Sequence, residues 1–307
     1  MSYSMWIILT ASLVGLSCGL IGVFLILRKQ AMMADGISHT VLLGIVLAYM
    51  VTQEVSGPAM LIGGIFAGIL TAFLVQTLSS LKVRHDASLG IVFTSLFAIG
   101  VILISTSVGN VHLDVKHALM GEITFIPFTT MDIPLIGSIP KATALLLLVL
   151  LVVIFFIVAF YKEWKITSFD AALAASLGIP VIFFHYLFMT LVSVTTVASF
   201  DAVGAILVVA MLITPAAAAY LWTDKLIVML FLSGGFGVLS AIIGYWIATW
   251  LDTSISGSMA LATGCIFFCN LSAFAKARSD FKIGASGGVK RGTGSIKYFC
   301  EIKEFRI

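Results

Sequence analysis

The chain has 307 residues, of which 61% are hydrophobic and 10% charged, with a formal net charge of +3 and a mean hydropathy of +1.17. Soluble domains carry about 25% charged residues, so this composition excludes a soluble enzyme and a nucleic-acid-binding module. Apolar runs of roughly 18 or more residues recur, each long enough to cross a bilayer. The expected fold is all-α: one polytopic helical bundle in a membrane.

The first apolar run, Met5 to Leu27, has neither a basic segment nor a small-residue cleavage pattern before it. It reads as a retained span and not as a signal peptide. Nine spans are predicted, near 5–27, 31–51, 58–80, 88–106, 142–161, 180–199, 203–222, 226–249 and 257–275. Arg28, Lys29, Lys82, Arg84, Lys162, Lys165 and Lys225 fall in alternate connections, and eight more basic residues follow the last span. Only Lys116 and Lys141 lie on the other side. The positive-inside rule then puts the N-terminus outside and the C-terminus in the cytoplasm. The net positive charge is a topology signal, with no nucleic-acid partner implied.

Within the spans, Gly15 with Gly19 and Gly64 with Gly68 form small-xxx-small pairs that let backbones approach in lipid. Asp35 and His39 stand one helical turn apart in the apolar stretch Ala31 to Met50. That spacing projects a carboxylate and an imidazole from one helix face. Such residues at membrane depth mark an ion pathway, and the two groups make half of a divalent-metal site. The alternative is a buried Asp–His hydrogen bond that only fixes packing. Pro215 should leave the Met211 carbonyl unpaired and break or kink the seventh span. Cys18, Cys265 and Cys269 lie in spans and Cys300 in the tail, with no disulfide framework implied; Cys265 and Cys269, one turn apart, read as small buried hydrophobes, the alternative being a soft-metal pair.

Residues 107–141 hold His112, Asp114, His117, Glu122 and Asp132 with three prolines, an outside segment with a short helix expected around His117 to Thr124. It reads as a solvated loop; the alternative is that its His and carboxylate groups hand metal inward. Between the fifth and sixth spans, Ser168 or Thr167 should cap a short helix and Asp170 should complement its positive end. Gly178 and Pro180 should stop that helix. Its small residues suit docking into a groove on another protein, the alternative being an ordinary connector. The membrane-spanning domain is expected to cover 1–275. Residues 276–307 form a basic, Gly-rich tail, expected to be disordered and suited to lying on anionic lipid. No G-x-x-x-x-G-K-[ST] pattern occurs in the chain, so it holds no ATP by a P-loop.

These motifs resemble the permease subunits of bacterial ATP-driven importers for manganese, zinc and iron. Leu27-Arg28-Lys29-Gln30 through Asp35-Gly36-Ile37-Ser38-His39 is similar to that family's Arg…Asp-x-x-Ser-His signature, and Asp86 to Ile91 resembles its turn into the fourth span. Thr167-Ser168-Phe169-Asp170 to Gly178 resembles its coupling helix, and Val203 to Ala217 its most recognisable segment. The resemblance covers roughly residues 10–275. It implies that Asp35 and His39 line the metal path, with Asp201 and His117 as candidate groups at its outer mouth. Ser168, Phe169, Asp170 and Gly178 would receive the ATPase stroke.

The implied partners are a separate ATPase subunit, an extracellular metal-binding protein and a second permease subunit, either identical or paralogous. No cofactor is permanently bound; the metal is cargo, and ATP is used by the partner. The implied location is the bacterial cytoplasmic membrane, and the Ala-Met-Leu-Ile-Thr-Pro run leans towards the manganese members. In this chain Ala34-Asp35-Gly36 replaces the family's usual Gly-Asp-Ala, and the tail has no counterpart. A proton-coupled secondary transporter is the competing class, but no inverted repeat is evident. An intramembrane metalloenzyme would need a richer ligand set than the chain offers.

Overall fold

The structure is a computed structural model and describes residues 3–52, 57–107, 123–128, 130–133 and 137–286. Helices α1 (Tyr3–Leu27), α2 (Ala31–Thr52), α3 (Gly57–Ser80) and α4 (His85–Ser107) come first. A 3-10 helix, Ile123–Phe128, and a hairpin of β1 (Thr130–Ile133) and β2 (Gly137–Pro140) follow. Then come α5 (Lys141–Ala159), α6 (Tyr161–Phe169), α7 (Ala171–Ser176), α8 (Val181–Val203), α9 (Ala205–Trp222), α10 (Leu226–Leu251) and α11 (Ile255–Ser286). Nine of the described helices are long and apolar enough to cross a membrane, and they match the expected spans to within a few residues at most ends.

Helix α1 is the hub. It packs against α9 and α10 on one side and α5 and α8 on the other, while α2, α3 and α4 form a second group joined to α8 through α3. In lipid no hydrophobic force drives helices together, so close packing and internal hydrogen bonds must hold them. The glycines supply the first. A Cβ on Gly15 would lie 2.7 Å from the Gly237 carbonyl carbon of α10, and one on Gly22 would overlap the Leu212 carbonyl oxygen of α9. Gly64 and Gly68 face Val197 and Ser193 of α8, so both expected small-residue pairs are used for helix contact. Buried hydroxyls supply the second. Ser233 Oγ donates to the Gly19 carbonyl (2.8 Å), Thr71 to Thr40 (2.8 Å), and Thr10 and Thr143 share a bond of 2.7 Å.

Three expectations need correction. Helix α9 runs unbroken through Pro215, which is buried against its neighbours. The interruption lies instead at Gly204, the single non-helical residue between α8 and α9, with φ 84° and ψ 162°. Glycine adopts that φ without the penalty an L side chain meets, so the chain passes directly from one helix to the next. The second correction concerns the end of the bundle. Helix α11 continues to Ser286, so the first residues of the basic tail extend the last span as helix. Ala275, Lys276, Ala277, Arg278 and Lys282 favour helix here, and no glycine or proline intervenes before Gly284. Third, the segment before α5 carries a hairpin that the sequence reading missed, and its described helical turn is the 3-10 helix Ile123–Phe128. The helix expected from His117 lies mostly outside the described residues.

Gly22→Ala should force α1 and α9 apart, because the new methyl meets backbone, which cannot rotate away. A loss of about 1–3 kcal/mol, the usual scale of overpacking, is expected as a lower melting temperature in detergent. Gly90→Ala, at a helical position with nothing within 4 Å of the added Cβ, should be neutral or slightly stabilising in the same measurement.

Candidate metal path and coupling element

Helix α2 starts directly after the turn Arg28–Gln30 and carries Asp35 and His39 on its half-exposed side. At 1.5 Å rise per residue, Asp35 lies about 6 Å and His39 about 12 Å along the helix. The opposite side of α2, including Met33, Ala34, Ile37 and Val41, is buried in the bundle. His39 Nε2 is 3.6 Å from Asp35 Oδ1, with side-chain exposures of 39% and 43%. The pair is thus brought together but not sealed into the core, which disfavours a purely packing role.

Two aromatic rings of α4 hold the imidazole. Phe93 stacks on it at 5.7 Å and Phe97 meets it edge-on at 5.8 Å. The displaced glycine of the signature lies at the α2–α4 contact: a Cβ on Gly36 would lie 2.6 Å from the end of the flexible Leu89 side chain, while α2 stays helical. Among the described residues, no third His, Cys, Asp or Glu joins the pair. One chain therefore offers an oxygen and a nitrogen ligand, fewer than the four or more a divalent transition metal takes.

Asp201 is not part of this pair. It lies in the last turn of α8, about 30 Å along a helix that begins at the same end of the bundle as α2. His117 lies outside the described residues. Cys265 and Cys269 are both exposed on α11, and Cys18 is buried with its sulfur 3.6 Å from Ser199 Oγ.

The coupling segment is built differently from its sequence expectation. Ser168 and Thr167 do not cap the short helix; both belong to the preceding helix α6. Asp170 is the cap, its Oδ1 accepting from the backbone N–H groups of Ala172 (3.0 Å) and Leu173 (2.9 Å). One carboxylate oxygen thereby satisfies two of the unpaired amides that begin α7. Gly178 ends the motif at φ 78°, with nothing near the position of an added Cβ, so backbone conformation alone calls for glycine there. Within α7 only Ala174 is buried. Phe169, Leu173 and Leu177 project from this segment with exposures of 46%, 51% and 61%, an apolar surface left open among the described residues.

What Ser168 and Thr167 do instead was not legible from their spacing. Arg28 Nε donates to Ser168 Oγ (3.1 Å) and its terminal nitrogen to Thr167 Oγ1 (3.2 Å). The guanidinium lies 4.5 Å above the Phe188 ring, in a cluster of Phe24, Trp164 and Phe188 with centroids 5.3–6.2 Å apart. Burial lowers the Arg28 pKa to about 10, which leaves it charged at neutral pH. Arg28 therefore fastens the end of α1 to the coupling segment. The only hint in the sequence was an arginine set directly between two apolar spans.

Comparison with known proteins agrees with this architecture. The chain is 57% identical over 274 residues to the manganese transport system membrane protein MntD of Bacillus subtilis, covering 89% of this chain and 92% of the relative. It is 40% identical to the zinc transport system membrane protein TroD of Treponema pallidum, covering 86% and 72%. The solved structure of PsaBC from Streptococcus pneumoniae in complex with a Fab superposes at a TM-score of 0.74 and 33% identity, covering 88% of this chain and 91% of the other. The family model described as the ABC 3 transport family matches residues 1–274, so the chain belongs to the ABC 3 transport family, as a membrane-spanning permease.

Proposed function

We propose that this permease carries manganese into a bacterial cell through a path lined by Asp35 and His39, with ATP hydrolysed by a separate subunit. The 57% identity to a manganese permease over nearly the whole of both chains is the observation that carries the choice of metal. The ligand set is compatible with it, since carboxylate oxygen suits manganese and imidazole suits several first-row metals. Zinc is the second reading, favoured by the 40% identity to TroD and by the same two ligand types.

A two-ligand set on a half-exposed helix face supports assembly with a second permease subunit. Two such faces would offer four ligands around one ion, a number a passing divalent metal can use. The apolar surface of Phe169, Leu173 and Leu177 is the proposed dock for the ATPase subunit. An extracellular metal-binding protein would deliver the ion to the far end, where Asp201 and His117 are the proposed mouth groups. The basic connections support the cytoplasmic placement of the coupling segment and a location in the cytoplasmic membrane. The segment beyond residue 276 lies outside the family match and is proposed to extend over the inner membrane surface.

In reconstituted vesicles, manganese uptake should need the ATPase, ATP and the binding protein together. Uptake by this chain alone, driven by a proton gradient, would favour a secondary transporter instead.

Asp35→Ala and His39→Ala should each lower metal uptake per assembled complex by at least about 10-fold, the scale of lost metal-site contacts. The double variant should be little worse than either, because two ligands of one site do not act additively. Both variants should remain in the membrane. Normal uptake with reduced assembly would mean that the pair serves packing alone.

Asp170→Ala removes the cap of α7, worth about 1 kcal/mol, and Gly178→Val forces a branched side chain into a left-handed conformation at roughly 1–2 kcal/mol. Both should leave ATP hydrolysis running while uptake falls, and Gly178→Asn should be tolerated best because asparagine accepts that conformation. Unchanged uptake in Gly178→Val would show that the segment is a plain connector.

A further inference from the structure

At the end of the bundle where α1 stops, a cavity of about 380 Å³ opens between the α1–α2 turn, the end of α6 and the start of α8. The metal pair does not use it, and of the proposed ATPase dock only Phe169 borders it. Its polar wall consists of Arg28, Lys29, Gln30, Thr167, Ser168 and His185, and it contains no carboxylate. Leu27, Phe169 and Val181 give it an apolar side. Every ionisable group on the wall is therefore a base.

Arg28 is the centre of this arrangement. Its bonds to Ser168 and Thr167 use two of its five N–H donors, and among the described residues no carboxylate pairs with it. A charge held partly out of water without a counter-charge is costly, so the site favours an anion. Lys29 holds its exposed ammonium at the rim, on a backbone with φ 56°. Gln30 Oε1 is buried and, among the described residues, has no hydrogen-bond partner. Turning that amide over presents its NH2 group, a donor an anion can use.

We propose that this cavity is a binding site for a phosphate group, carried by the headgroup of an anionic phospholipid. The planar guanidinium fork matches phosphate oxygens, with Lys29 and His185 as further donors. Basic pockets between membrane helices at the headgroup level are suited to anionic lipid headgroups. Ile182 and Phe183, next in sequence to the lining residue Val181 at the start of α8, are 74% and 58% exposed, an apolar surface against which acyl chains can lie. The cavity is larger than a single carboxylate side chain fills, which favours a lipid headgroup over an acidic residue of a docked protein. Bound there, the phosphate would neutralise Arg28 and brace the α1–α2 turn against α6.

The test uses the full chain in complex with its ATPase, in nanodiscs of phosphatidylcholine with or without phosphatidylglycerol. Phosphatidylglycerol should raise the melting temperature by several degrees, and native mass spectrometry should find it retained on the complex after transfer to detergent. Lys29→Gln and His185→Gln leave the Arg28 bonds to Ser168 and Thr167 in place and should reduce that retention several-fold. Arg28→Gln should abolish it. Inorganic phosphate added to phosphatidylcholine nanodiscs separates the sources: a shift equal to that of the lipid would assign the site to free phosphate and overturn the lipid as its carrier. Retention and melting identical in wild type, Lys29→Gln and His185→Gln would overturn the site altogether. So would stabilisation that depends on these residues only when the ATPase is present, since that result assigns the cavity to an acidic group of the partner.

Discussion

Helix α1 can occupy the centre of the bundle because Gly15, Gly19 and Gly22 present bare backbone to α9 and α10. A membrane interior gives no hydrophobic reward for bringing helices together, so contact distance decides how much dispersion and hydrogen bonding they gain. The Ser233 hydroxyl reaches the Gly19 carbonyl only because no side chain stands between them. Other contacts follow the same rule, with Gly44 against Gly63 between α2 and α3 and Gly244 against Met259 between α10 and α11. With its axis fixed by backbone contact, the end of α1 also has a fixed position.

That end is where the functional parts meet. Phe24, in the last two turns of α1, packs against Trp164 of α6 and Phe188 of α8, and Arg28 bonds α6 one turn later. Helix α2 begins three residues after Arg28, and Asp35 is in its second turn. The distance from coupling segment to metal pair is thus covered by one short turn and two packed helices. A displacement of α6 has few soft elements to dissipate into before it reaches α2. This is a physical route for transmission on the proposed function, and it passes through an arginine that pairs with no carboxylate among the described residues and whose neighbours are hydroxyls and an aromatic face.

Much of this organisation was legible in the sequence. Span number and placement follow from apolar run length, which the bilayer sets directly. The Asp35–His39 pairing follows from helical periodicity alone, and Gly178 ends its helix as a glycine before a proline should. What was not legible depended on contacts between distant segments. Ser168 and Thr167 are good cap residues by type, but their hydroxyls are turned towards Arg28, some 140 positions away, and Asp170 caps instead. Pro215 is a helix breaker by type, yet buried packing carries α9 through it, and the break moves to Gly204 where backbone freedom is intrinsic. The role of Gly36 also needed α4 in place before it had a meaning.

On the proposed function, a pair of only two ligands suits transport. A resident zinc is held by four ligands that close around it, whereas Asp35 and His39 supply two and leave the rest of the coordination sphere open. Phe93 and Phe97 pack against the imidazole on two sides, which limits its motion even though ligand number is low. On the proposed function, the missing ligands come from a second subunit. Affinity then depends on the distance between two helix faces and not on any change within either. A small separation of the two permeases would halve the coordination number and release the ion, while each bundle keeps the backbone-to-backbone packing that defines it. Rigid helices and a divided site are in this sense one design: the first makes the second controllable by relative motion alone.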